Sequence, residues 1–313
     1  MVVGSACDGC KGAKPQGPAA APAPAPAPVV DQAALNHVLR AVWGSSASDV
    51  WAVGNDGALL HYDGHAWSAA RSDTTSHLTG VSGTAADDVW AVGENGAVLH
   101  YDGRVWRVLD DARDGVTLLT VSSLSRSDVW VAGLSDNAAI VRRYHDGAVA
   151  ETQALPGSTG IWRAWPVSPT DMWFVGSDRQ ANSFIMHLQD GKWEHRPLRG
   201  GPMRAVFGVA SNDVWAGAYD GSLHHWDGNK WEKASTTIEG AHWLGLWGSS
   251  TTDIWAYGVG GVLGHYDGKT WTPVKAAANT VWGAWGSGPD DIWFVGRAET
   301  VGTRLHWNGK TLE

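Results

Sequence analysis

Three observations predict an all-β fold of seven radial blades. An Asp-[Val/Ile/Met]-Trp triplet recurs seven times at a step near forty residues. Gly, Asp, Asn and Ser divide each copy into four short apolar or alternating runs, and no copy carries helical periodicity. The triplets begin at Asp49, Asp88, Asp128, Asp171, Asp213, Asp253 and Asp291, with steps of 39, 40, 43, 42, 40 and 38 residues. Four antiparallel strands per unit, repeated seven times, imply a closed β-propeller, because radial repetition protects sheet edges that would otherwise template aggregation.

Taken in chain order, residues 1–28 read as a flexible Ala/Pro-rich tether and residues 29–313 as the propeller. Residues 15–28 hold nearly half of the 13 prolines, most of them alternating with Ala, which favours an extended spacer. Upstream, Val2-Val3-Gly4-Ser5-Ala6-Cys7 sets small residues before a cysteine and resembles the end of a bacterial lipoprotein signal, with Gly4 where leucine is usual. Acylation of Cys7 is the expected consequence, which would give a lipid anchor without a transmembrane span. A Cys7-x-x-Cys10 pair and a plain tail stay open as alternatives. No second Cys/His pair stands at ligand spacing, so no metal and no cofactor is expected.

The first copy predicts strands over Leu39–Trp43, Asp49–Val53, Ala58–Tyr62 and Ala66–Ala69, with a turn at Gly44-Ser45-Ser46. The third and fourth strands of each copy meet at Asp63-Gly64, Asp102-Gly103, Asp146-Gly147, Asp190-Gly191, Asp227-Gly228, Asp267-Gly268 and Asn308-Gly309. Such pairs supply the two positive-φ residues of a type I′ hairpin. Innermost strands are apolar at consecutive positions, as at Val42-Trp43, Val206-Phe207, Leu246-Trp247 and Ala284-Trp285, which fits burial on both faces. The last copy ends at Leu312-Glu313, where Trp271 stands one blade earlier. Counting in register places Val29-Val30 in that outer position, so N- and C-terminal strands are expected to close the ring together.

The repeat explains most of the 21 tryptophans. Eighteen fall at recurrent positions: Trp51 and its six equivalents in the second strand, others after the hairpin, at the end of the first strand or before the turn. They are read as inter-blade packing. Trp162, Trp243 and Trp282 break the pattern near the start of a first strand. The position of Trp162 and Trp282 is held elsewhere by Arg40, Thr79, Leu119, Arg204 and Leu244. Arg40, Trp162, Arg204, Trp243 and Trp282 are therefore the candidate ligand contacts, since Arg and Trp are favoured interface anchors.

The string His-[Tyr/Trp]-Asp-Gly at His61, His100, His225, His265 and His306 (Asn308 for Asp in the last), with looser forms at Tyr144-His145 and His187, is read as scaffold. Chemistry needs one constellation, whereas a scaffold bond is needed once per blade. The repeated Asp of the second strand is expected to cap a turn through backbone N–H groups. These turn aspartates carry much of the formal charge of −9, which with a pI near 5.8 argues against nucleic acid as partner. Asp110, Asp111 and Asp114, interrupted by Arg113, lack a calcium-loop pattern and read as a solvated loop.

The unit Gly-Ser-Ser-x-x-Asp-Val-Trp-Ala-Val-Gly…His-Tyr-Asp-Gly-x-x-Trp resembles the repeats of large bacterial surface and lipoprotein propellers. It is more distantly similar to sialidase-type Asp-box repeats and to photosystem II assembly factor-like propellers. It departs from a true Asp-box because Asp and Gly are adjacent, as at Asp267-Gly268-Lys269-Thr270-Trp271, and no arginine triad stands out, so sialidase activity is not implied. The expected function is a non-catalytic binding or scaffold propeller of the bacterial cell envelope or a secreted one, monomeric, meeting a protein or glycan on one face. The alternative is a multivalent lectin with Trp-lined pockets between blades. No G-x-S-x-G, H-E-x-x-H or phosphate-binding Gly loop is present, so an enzyme is not expected. A site drawn from distant loops, such as Asp178-Arg179 with His195-Arg196, is the remaining catalytic reading.

Overall fold

The computed structural model describes Met1 and residues 34–313, apart from 111–114, 137, 156–157, 179, 181 and 198–200. The tether, Cys7, Val29-Val30, Asp111, Arg113, Asp114 and Arg179 lie outside the described residues. So does the Arg196 side chain.

Seven innermost strands, Leu39–Ser46, Leu78–Ala85, Thr117–Ser125, Ser158–Ser168, Met203–Ala210, His242–Ser250 and Thr280–Gly288, surround an axial channel. Each pairs antiparallel with a second strand that begins at the triplet Asp; third and fourth strands follow outward in blades 1 to 6, and a third strand with a single bridge in blade 7. In the four blades with an apolar pair, the innermost strand runs three residues beyond it. In blade 1 the turn is Ala47-Ser48 rather than Gly44-Ser45-Ser46, because a bulge between Gly44 and Ser46 lets pairing resume at Ser46–Asp49.

Only two of the seven hairpins are the expected type I′ turns. Asp146-Gly147 and Asp190-Gly191 have φ of 49° and 78°, and 48° and 76°. Both copies carry one extra residue ahead of Asp-Gly, which centres the pair between His145 and Ala148 or Gln189 and Lys192. In the other five the Asp or Asn directly follows the last paired aromatic residue, and only the glycine has positive φ. There the side chain closes the loop, as where Asp63 Oδ1 accepts the N–H groups of His65 and Ala66 at 2.9 and 2.8 Å. Hydrogen bonds from the Val105 N–H, Arg107 and the Arg104 N–H pull Asp102 in the equivalent loop down to about 2.

Tryptophan joins the blades. The second-strand ring of one blade meets the fourth-strand ring of the next edge-on: Trp51 with Trp106 at 5.2 Å, Trp215 with Trp271 at 5.3 Å, and Trp173 with Trp231 at 5.7 Å. Trp293 and Trp67, at 5.2 Å and 90°, make the same contact across the seam between last and first blades. Each such pair adds about 0.5–1.5 kcal/mol beyond the area it buries. Indole N–H groups find partners less often than expected: those of Trp51, Trp130, Trp173, Trp215, Trp255 and Trp293 are buried without one.

Among the described residues, both chain ends meet at blade 7; Val29-Val30 lie outside them. The outer position of blade 7 is taken by the C-terminus itself, where Leu312 bridges Trp307 and Glu313 exchanges two backbone bonds of 2.9 Å with His306. From the N-terminal side, the Leu35 carbonyl accepts Arg304 Nη1 at 2.9 Å. His37 lies so close to Gly302 that a Cβ there would stand 1.9 Å from its carbonyl oxygen.

Candidate functional site

The innermost strands begin at one mouth of the channel and end at the other, where the triplet aspartates start the second strands. At the first mouth every innermost strand carries a bulge. Pairing skips one residue between Leu39 and Ala41, and likewise skips Thr79, Leu119, Trp162, Arg204, Leu244 and Trp282. A bulged residue is released from the alternation of the pleat. One position per blade is thereby freed, and the sequence varies it.

Trp243 is a correction. It pairs with Gly258 and so occupies the register of Leu39, one residue before the bulge. A shift of one residue turns a strand side chain to the opposite face. Trp243 is 0 % exposed between blades 5 and 6, and its Nε1 donates to the Gly221 carbonyl at 2.8 Å. Leu244 holds the mouth position in blade 6.

The other four candidates form two Arg–Trp pairs, each across a blade boundary. The Arg204 guanidinium lies 3.6 Å from the centre of the Trp162 ring, and Arg40 lies 5.6 Å from that of Trp282, which Arg297 also approaches at 5.5 Å. Arg40 Nε donates to Asn55 Oδ1 at 2.6 Å. Arg204 has no such tie: its Nε is buried without a partner, and burial holds the guanidinium below its ordinary value. Stacking on an indole face is what holds this cation in place.

Sequence reasoning missed Arg163, which spans the channel. Its Nη2 donates to the Trp282 carbonyl of blade 7 at 3.0 Å and its Nη1 to the Leu119 carbonyl of blade 3 at 3.3 Å. The signal was present: the equivalent residues in the other blades are Ala41, Gly80, Thr120, Ala205, Gly245 and Gly283, all small. Beside it Tyr257 fills the room left by Gly245, where a Cβ would stand 2.2 Å from the phenol ring. Burial pushes the Tyr257 hydroxyl up, against the opposing pull of Arg163. None of Arg40, Arg163, Arg204 and Arg297 pairs with a carboxylate among the described residues.

At the opposite end, each triplet Asp binds a side chain of the adjacent third strand. His61 meets Asp49 at 2.6 Å, His100 meets Asp88 at 2.8 Å, and His187, His225 and His265 meet Asp171, Asp213 and Asp253 at 2.7 Å. His306 meets Asp291 at 2.6 Å, and in blade 3 Arg143 binds both oxygens of Asp128 at 2.7 and 2.9 Å. Each imidazole also lies over its own blade's indole, as His187 on Trp173 at 3.8 Å. The expected backbone partners are thus corrected: imidazole and hydroxyl groups take the carboxylates, with Ser45, Thr84, Ser249 and Ser287 bound to the second oxygen. These hydroxyls bond the Asp and not the His, so none of these six imidazoles is placed to take their protons. Asp178 of the remaining catalytic reading is occupied by Asn182 and the Gln180 N–H. Among the described residues no three His, Cys, Asp or Glu gather as a metal site.

No family model matches this chain, and no characterised protein matches it by sequence. Solved structures share its fold. YCF48 bound to D1 peptide is 18% identical with a TM-score of 0.68, covering 86% of this chain and 92% of that one. YCF48 from Cyanidioschyzon merolae is 17% identical with a TM-score of 0.67, covering 87% and 96%. The WD40 β-propeller domain of Doa1 is 14% identical with a TM-score of 0.72, covering 88% and 94%.

Proposed function

We propose that this propeller is a non-catalytic interaction scaffold whose protein partner docks on the Arg–Trp mouth. The observation that carries the reading is Arg204, a half-buried cation stacked on Trp162 with no carboxylate of its own. A guanidinium held flat on an indole leaves N–H groups free for a partner's carboxylate or carbonyl and loses little freedom on binding. Its solved likeness bound to a peptide supports peptide capture by this fold. The inter-blade lectin alternative gains no support, because the rings at those boundaries, Trp90, Trp173 and Trp255 among them, are buried against neighbouring blades.

A peptide array probed with the protein and with Arg204→Ala tests the scaffold reading. Peptides that bind the protein are expected to weaken about tenfold or more in the variant. Binding indifferent to Arg204→Ala and to Arg40→Ala refutes the placement. We also propose an envelope location through acylated Cys7. Palmitate labelling in a bacterial host checks it, with Cys7→Ser expected to abolish the label.

A further inference from the structure

We propose that the end of the channel away from the Arg–Trp mouth binds one neutral sugar ring beside blades 2 and 3. A cavity of about 360 Å³ occupies the axis. Near that end each innermost strand presents one residue at the register paired with the triplet Trp. The residue is aromatic in five blades: Trp43, Trp165, Phe207, Trp247 and Trp285. In blades 2 and 3 it is Ser82 and Ser122.

Where the residue is aromatic, its ring lies against a glycine of the next blade. A Cβ at Gly83 would stand 2.6 Å from Trp43, one at Gly286 2.8 Å from Trp247, and one at Gly44 2.7 Å from Trp285. Where the residue is serine, the following blade carries Ser123 or Pro166 in place of that glycine. The gap is therefore no seat for a further indole. It is a bay with hydroxyls on one side and half-buried indoles on the other.

The lining selects the ligand. Ser82 Oγ accepts the Ser123 N–H at 3.1 Å, whereas Ser123 Oγ is buried without a partner. Ser122 is buried and adds a second hydroxyl. Trp43, Trp165 and Trp285 supply apolar faces. The titratable groups on the cavity wall are Arg163 and Tyr257, both toward the Arg–Trp mouth, and Arg163 is engaged by two carbonyls. A charged ligand would find no countercharge at the serines. A ligand with hydroxyls on its rim and an apolar C–H face satisfies both walls, and a pyranose has that form. About 360 Å³ sits at the small end of ligand pockets, which suits a single ring. The site is single because the symmetry breaks only at the adjacent blades 2 and 3, and it lies at the end of the cavity away from Trp282.

Tryptophan fluorescence of the full chain, titrated with glucose, galactose, mannose and N-acetylglucosamine, is the test. At least one sugar should give a saturable change with a millimolar midpoint. Ser123→Ala should weaken it about five- to tenfold through the lost hydroxyl. Ser122→Leu should abolish it by filling the bay with an apolar side chain while circular dichroism stays unchanged; if that variant does not fold, Ser123→Ala is read alone. No saturation with any of the four up to about 100 mM overturns the proposal, as does an affinity untouched by Ser123→Ala.

Discussion

Gly286 should be replaceable only if Trp247 is replaced with it. A Cβ at Gly286 would stand 2.8 Å from Trp247 Cη2, 2.9 Å from Ile292 Cγ1 and 2.5 Å from the Asp291 carbonyl oxygen. Gly286→Ser therefore overpacks the boundary between blades 6 and 7, at a cost of about 1–3 kcal/mol. The contact with the Asp291 carbonyl is not the deciding part, since blade 3 accommodates Ser123 at the same register. What differs there is the neighbour, Ser82 in place of an indole. In a Trp247→Ser background the further change Gly286→Ser should cost at least about 1 kcal/mol less than it does alone. Guanidinium unfolding of the four proteins, followed by tryptophan fluorescence and circular dichroism, measures the cycle. Additive costs would refute the reasoning, because they would show that the glycine answers only to its own backbone and not to the ring beside it.

Trp255→Ala removes a fully buried ring from His265, Phe294 and Trp307 together, and should cost about 3–5 kcal/mol in the same unfolding assay. Burial works to raise the Asp253 carboxyl, but hydrogen bonds from His265 and Ser249 outweigh it and hold the group below its ordinary value. Its contribution is thus present above the unfolded carboxylate pKa and lost as pH falls through the lower folded value. Asp253→Asn should flatten the acid limb of a stability–pH curve. Tyr257 behaves oppositely: burial raises it, so stability is full below the ordinary phenol pKa and declines as pH rises through the folded one. Ultraviolet absorbance should show Tyr257 ionising only with unfolding, and Tyr257→Phe should remove that alkaline loss.

Much of the architecture was legible because one solution is repeated in every blade. Seven copies of Asp-[Val/Ile/Met]-Trp outweigh the ambiguity of any single strand. Reading the copies against one another also held more than the repeat itself. One extra residue ahead of Asp146-Gly147 and Asp190-Gly191 marks the two type I′ hairpins, and Arg163 stands alone in a column of small residues. The candidate site was legible in part. Arg40, Trp162, Arg204 and Trp282 share the mouth, but Trp243, one residue out of register with Trp282, goes into the core.

The sequence by itself determined the strand number, the blade count and the place of the repeated aromatics, because local turn chemistry and hydrophobic alternation act within one forty-residue unit. Only the tertiary structure decided which side chains meet across blades. Arg204 on Trp162, Arg163 on the Trp282 carbonyl and the indoles against the glycines of the next blade are contacts between residues about forty or more positions apart. They depend on bulges and on ring closure, and a bulge that displaces a strand by one residue reverses the direction of every side chain beyond it.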